Sequence, residues 1–248
     1  MKTLSIYFIG TSKYIEFFPK YYELHSRHLF PGVIKNFLVF TDEVDHPYFQ
    51  KENVKTFKIN HEPWPFVTLN RFKYIHDHHS QCPSADWHLF IDADLWSVTD
   101  IQEEDLLSPE KPYLGVRHPG FLKGNPGSFE TNPNSAASIT DKEYNLSVYR
   151  QGCLWGGKGE HFFKLIKSCL DRVKIDTANK VVASWHDETH LNYFFLNQPH
   201  LTHTAPATFA VPQQPGPWHE HLKGLKTQML HLSKDPTHFP RFEGGEIK

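Results

Sequence analysis

The sequence predicts an α/β fold with a mostly parallel central sheet flanked by helices. Three observations predict it. Short runs rich in Ile, Val, Phe and Tyr alternate with segments of helical spacing, the pattern of strand–helix–strand units. The chain has 248 residues, enough for one large domain with a sizeable core. One apolar run, in WHLFIDADLW, ends in paired carboxylates, Asp92 and Asp94, as a strand does where it opens onto a ligand crevice.

In order, the strand-like runs are Leu4–Ile9, Asn36–Thr41, Val54–Ile59, Trp87–Ile91 and Tyr113–His118. Helical spacing fills Tyr14–Phe30 and Val67–His79 between them. Residues 119–145 are rich in Pro, Gly, Asn and Ser and form a long loop, and such loops are commonly functional. Phe162, Leu165, Ile166, Cys169, Leu170 and Val173 recur at three- and four-residue intervals, the core face of a helix. A second helical pattern follows WHDETH, with Leu191, Phe194 and Phe195 facing inward. Beyond Leu201 the chain turns Pro- and His-rich, and a mobile tail is expected from about residue 234. Without repeats or an internal boundary, residues 1–248 are expected to form a single domain.

The formal net charge is −2, so no basic field points to nucleic acid or an anionic membrane. Cys82, Cys153 and Cys169 make no CxxC pair and are odd in number, which argues against a disulfide framework or a thiolate zinc site. The opening MKTLSIYFIG lacks a signal-peptide pattern, and no apolar run reaches membrane-spanning length. A cytoplasmic protein without a membrane anchor is expected.

Three stretches carry chemistry. Asp92 and Asp94 lie two positions apart, a spacing that returns both carboxylates to one side. They are either solvated acids opening a turn or hard oxygen ligands for a divalent cation. In RQGCLWGGKGEHF, small residues at Gly152, Cys153, Gly156 and Gly157 surround Trp155 and permit close approach of a ligand or another backbone. In SWHDETHLNYFFL, Asp187 and Glu188 stand at a helix start, where an acid also serves as a cap. His186 and His190 are four apart, but HDETH is not the HExxH of zinc peptidases, and a zinc hydrolase is the lesser alternative. A non-catalytic sugar-binding module is another, although it has no need of Asp92, Asp94 and Glu188 together.

IDADL, HPGF at His118–Phe121, QGCLWGG and WHDETHLN, with FTDEVDHP and WPFVTLNR in order before them, resemble glycosyltransferase family 6. That family includes the histo-blood-group transferases and the α-1,3-galactosyltransferases. The motifs span Ile6 to Phe195 and fade afterwards. The resemblance implies a GT-A-type fold and retaining transfer of a hexose, galactose or N-acetylgalactosamine, from a UDP-sugar to the 3-OH of a galactose-type saccharide acceptor. By position, Asp92 and Asp94 would hold Mn²⁺, or Mg²⁺ in its place, against the diphosphate. Ile9, Gly10, Thr11 and Tyr14 match the uridine-binding segment, and Arg71 the donor-contacting arginine. Gln151, Gly152 and Cys153 match the donor-selecting segment; Cys153 is larger than the glycine of some GalNAc-using members, which favours galactose. Glu188 would lie beneath the anomeric carbon, with Asp187 orienting donor hydroxyls. His118 and Trp185 would meet the acceptor, and Lys234 and Arg241 would close the tail over the diphosphate.

Two departures stand out. The sequence shows neither the anchor nor the stem of mammalian members, so it resembles the compact microbial or viral type, with the DxD retained. The segment TAPATFAVPQQP lacks the acidic acceptor-binding residue that the family often carries there, so an unusual acceptor is expected.

Overall fold

The computed structural model describes residues 1–122, 127–139 and 148–233, together with the backbone of 242–243 and 246–247, which pair as a short ladder. A seven-strand sheet organises them. In chain order its strands are β1 (Thr3–Ile9), β2 (Ile34–Thr41), β3 (Val54–Lys58), β4 (Trp87–Ile91), β6 (Tyr113–Arg117), β7 (Arg150–Lys158) and β8 (Thr202–Ala205). Their spatial order is β3-β2-β1-β4-β7-β6-β8. Only β7 runs against the others, so the mostly parallel sheet expected from the sequence is present. The order proceeds outward from β1 to β3 and then resumes at β4 on the other side of β1. A crevice therefore opens beyond the carboxyl ends of β1 and β4, where ligands bind in such sheets.

β1 and β4 read as near-continuous apolar runs because both of their faces are covered. Leu4, Ile6 and Phe8 of β1, with Phe37 and Val39 of β2, pack into one core; Tyr7, Leu38 and Phe40 point into the other. The first core receives α1 (Phe18–His28), which a 3-10 turn over Ser12–Phe17 precedes. A small three-strand sheet lies on that side: β5 (Leu95–Ser97), β10 (Met229–His231) and β9 (Val211–Pro212), in that order. The second core receives α3 (Arg71–Asp77), which follows the single turn α2 (Phe66–Leu69), then α5 (Glu160–Ala178) and α6 (His186–Leu196). All six apolar residues predicted for the α5 face are buried there. Single turns α4 (Glu103–Leu106) and α7 (Trp218–Leu222) complete the helices.

Two expectations change. RQGCLWGGK is a nine-residue antiparallel strand, β7, wedged between β4 and β6. Its glycines serve backbone approach: a Cβ on Gly156 would meet His88 O at 2.4 Å, and one on Gly157 the Phe162 N at 2.6 Å. The Pro- and His-rich stretch after Leu201 is also more ordered than its composition suggests, supplying β8, β9, α7 and β10. Of the loop expected at 119–145, residues 123–126 and 140–145 lie outside the described residues, as does all of the expected tail except the 242–243/246–247 ladder. Among the described residues no helix is long and apolar enough to cross a membrane.

Candidate active site

β4 is buried along its whole length, so Asp92, the next residue, is the first place where charge meets the crevice. Its N–H still bonds Cys153 O of β7 at 2.9 Å. The chain then turns, with Leu95 N–H donating to Asp92 O at 3.0 Å, and Asp94 comes round to the same side.

Arg71 opens α3, and it is not the exposed helix arginine that its sequence context allows. Its buried guanidinium lies 2.9 Å from Asp187 Oδ2 and 3.4 Å from Asp92 Oδ1. It also donates to Gly152 O at 3.2 Å and sits over the Phe90 ring at 4.5 Å. One cation thus joins the end of β4, the start of α6 and the middle of β7. Burial pulls its pKa down, but Asp187, Asp92 and Asp94 more than offset that and hold it raised.

α6 brings up the second pair of acids. Glu188 Oε2 accepts the Gly152 N–H at 2.7 Å. One turn later Asn192 accepts from Arg150 N–H at 2.9 Å and donates to Arg150 O at 2.8 Å and to Glu188 O at 3.0 Å. That amide pins helix to strand and so sets where Glu188 stands. Burial, reinforced by Asp187 and Asp92, pushes the Glu188 carboxyl up to about 7 against the Gly152 and Tyr149 hydrogen bonds. Burial likewise raises Asp187 to about 7, against the pull of Arg71. Asp187 is therefore an ion-pair partner at the site as well as an acid at a helix start. A Cβ on Gly152 would come within 3.1 Å of Asp187 Oδ2 and 3.2 Å of Glu188 Cβ, so any side chain there would press on both acids. The Cys153 thiol is buried and pushed up by desolvation and then by Asp92, Glu188 and Asp94, which keeps it a neutral wall.

Two cavities flank this cluster. One of about 180 Å³ is lined by Ile9, Thr11, Tyr14, Arg71, Asp92 and Asp94 among others. Of the donor-binding residues expected from the sequence it gathers Ile9, Thr11, Tyr14 and Arg71, and it adds His61 and Trp64; His61 Nδ1 lies 2.9 Å from Thr11 Oγ1. Gly10 does not line it. Its N–H bonds Phe40 O at 3.0 Å, and a Cβ there would strike the Phe8 ring at 2.4 Å, so Gly10 shapes the turn after β1. The other cavity, about 480 Å³, holds His118 and Gln151 together with Gln214, Trp218 and His231. Burial and then His231 lower His118 to about 4, leaving a neutral imidazole to face a ligand. Trp185 lies outside the lining of both; it is 49% exposed, and its indole donates to Ser128 Oγ at 2.7 Å. Lys234 and Arg241 fall outside the described residues.

Asp92, Asp94 and His231 form the group able to hold a metal among the described residues, with ligand atoms within 4.8 Å of one another. Two carboxylates and an imidazole suit a divalent cation of the manganese type. The HDETH histidines do not meet in this way. His190 is fully buried 3.7 Å from Asp176, and the His186 ring packs against Trp64 at 4.7 Å. His61, Gln214, Trp218 and His231 went unrecognised in the sequence, and Trp64 entered only as the first residue of WPFVTLNR. The one local cue was an aromatic after Pro-Gly-Pro at Trp218, and His231 ends an apolar triplet that carries no signal.

A mixed seven-strand sheet with paired acids beyond its central strand, an arginine across them and two cavities side by side defines a GT-A-type glycosyltransferase. The chain belongs to glycosyltransferase family 6, whose sequence model matches residues 2–231. That match runs past Phe195, where the motifs fade, because residues 202–231 supply strands of both sheets. The O-antigen biosynthesis glycosyltransferase WbnI of Escherichia coli is 30% identical over 200 residues, covering 80% of this chain and 84% of that protein. Histo-blood group ABO system transferase 2 of Rattus norvegicus is 28% identical over 78% of this chain and 59% of its own length. Globoside alpha-1,3-N-acetylgalactosaminyltransferase 1 of Gallus gallus is 24% identical over 78% of this chain. The chain spans only 57% of that protein.

Proposed function

We propose that this glycosyltransferase moves galactose or N-acetylgalactosamine from a UDP-sugar to the 3-OH of a galactose-type acceptor, with retention, making an α-1,3 linkage. The observation that carries the reading is the position of Glu188, held by Gly152 N–H at 2.7 Å beside the Asp92–Arg71–Asp187 chain of charges. The name of the chicken relative, an α-1,3-N-acetylgalactosaminyltransferase, supports the linkage. The acceptor lies on the side of His118 and Trp218, and Trp218 supplies an apolar ring face for a sugar.

Asp92 and Asp94 would hold Mn²⁺, or Mg²⁺ in its place, and the bound cation supplies Lewis-acid neutralisation of charge on the leaving diphosphate. Arg71 adds a fixed positive charge at the same edge, oriented by both of its acid partners. Tyr14 stacks on the base, with Ile9 and Thr11 beneath the nucleoside. Asp187 orients donor hydroxyls. Glu188 acts at the anomeric carbon, as nucleophile of a two-step displacement or as counter-charge to an oxocarbenium-like centre during front-face attack. Buried Cys153 limits space beside the donor sugar and favours galactose. On the resemblance alone, Trp185 belongs to the acceptor side, and Lys234 and Arg241 to the diphosphate. We take residues 1–248 as one catalytic domain, and the three free thiols suit the cytoplasm.

Donor hydrolysis tests the reading without an acceptor. UDP release from UDP-Gal, UDP-GalNAc, UDP-Glc and UDP-GlcNAc is measured with Mn²⁺ and with EDTA. UDP-Gal or UDP-GalNAc should be cleaved with Mn²⁺ and not with EDTA. Release from none of the four overturns the donor assignment, and full activity in EDTA overturns the metal.

A further inference from the structure

We propose that His231 is a third protein ligand for the cation held by Asp92 and Asp94, and that Gln151 fixes its ring in the metal-binding tautomer. The inference rests on the metal reading above and extends it to a residue on another sheet.

The fold builds His231 into place. β10 pairs antiparallel with β5 so that His231 faces Leu95, the residue after Asp94. Leu232 N–H donates to Asp94 O at 2.8 Å, and Gln213 N–H donates to His231 O at 2.8 Å. The backbone is therefore tied on both sides of the imidazole. The ring then lies with Nε2 3.3 Å from Asp94 Oδ1 and Nδ1 3.2 Å from Gln151 Nε2.

That geometry describes the metal-free tautomer. Nε2–H points at the carboxylate, while Nδ1 accepts from the Gln151 amide nitrogen. Ligation needs a lone pair on Nε2, so the ring proton must reside on Nδ1, facing Gln151. Gln151 then has to present its oxygen. Its Oε1 is buried and finds no hydrogen-bond partner here, and a half-turn of the amide sets it against Nδ1–H. A hydrogen-bonded outer partner of this kind orients a ligating histidine and raises its basicity. The amide that reads the ring also occupies the donor-selecting segment and lines the 480 Å³ cavity, so cation loading and sugar recognition share one side chain. An imidazole beside two carboxylates favours Mn²⁺ or Co²⁺ over Mg²⁺.

The test is Mn²⁺ binding followed by electron paramagnetic resonance, with and without UDP. Loaded wild-type protein should show electron spin-echo modulation from a directly bound ¹⁴N. His231→Ala should lose that modulation and bind Mn²⁺ at least about tenfold more weakly. Gln151→Leu should keep the modulation and lose about tenfold in affinity, the lower end for an outer-shell partner. Wild-type protein that binds Mn²⁺ without ¹⁴N modulation overturns the proposal while leaving the carboxylate site standing. Unchanged affinity in His231→Ala does the same. If wild type binds no Mn²⁺, or Asp92→Asn binds it as well as wild type does, the metal reading itself falls and this proposal with it. The wild-type spectrum decides the matter even if a variant fails to fold.

Discussion

β4 divides the sheet into halves built on different rules. On one side β3, β2, β1 and β4 are all parallel, and strand ends bring groups to the 180 Å³ cavity: Ile9 and Thr11 at the end of β1, Asp92 and Asp94 after β4. On the other side β7 reverses direction, and the groups facing the second cavity come from segments far apart in sequence: His118, Gln151, Trp218 and His231. The first half places chemistry by where strands stop. The second places it by which distant segments happen to pair. Glu188 and Arg71 stand at the seam, each bonded to Gly152 of β7.

Substitutions separate the halves if this division is functional. The largest effect belongs to the seam. Glu188→Gln should lower transfer by about a thousandfold or more while leaving UDP affinity within about twofold, measured by steady-state kinetics and calorimetry. Near-normal turnover would remove Glu188 from the mechanism. Arg71→Lys keeps the charge but loses the planar fork that reaches Asp92, Asp187 and Gly152 together. It should cost about a hundredfold in both donor hydrolysis and transfer.

On the far side, Trp218→Ala should lower transfer about tenfold through acceptor KM and spare donor hydrolysis. An equal loss in both would erase the distinction between the halves. The acid limb of kcat/KM reports on the seam again. Burial lifts Glu188 to about 7, so below that pH the carboxyl is neutral and the rate should fall about tenfold per unit. In Glu188→Gln the Glu188 share of that limb should vanish, leaving the part carried by Asp187, which burial also raises to about 7. Cys153→Gly has the smallest expected effect, moving the preference between UDP-GalNAc and UDP-Gal by about tenfold or less toward the bulkier sugar.

The same division governs what could be read from the sequence. Trp87 and Ile91 bound β4 where the apolar run begins and ends, because a strand buried on both faces leaves its mark in every residue. The α5 stripe from Phe162 to Val173 was legible for the same reason. β7 was not, since its three glycines dilute the apolar pattern and mark places where other backbones press in. Asp92, Asp94 and Glu188 were found by motif. His231 could not be, because its nearness to Asp94 depends on a three-residue strand whose partner, β5, lies far earlier in the chain. Gly10 lies between Ile9 and Thr11 of the 180 Å³ cavity without lining it, and the Phe8 ring leaves no room for a side chain there.

One irregularity of β7 has a wider consequence. Its register against β6 jumps from Gly115↔Trp155 to Val116↔Gln151, so Gly152, Cys153 and Leu154 lie opposite no residue of β6. The Gly152 amide, released from that ladder, is spent on Glu188. Cys153 can therefore be exchanged without unzipping β6 from β7, whereas Gln151 is paired with Val116 and Gly152 is hemmed in by Asp187 and Glu188. A change of side chain at Cys153 leaves the β6–β7 ladder intact, so variation beside the acids of α6 is decoupled from the pairing that holds the sheet together.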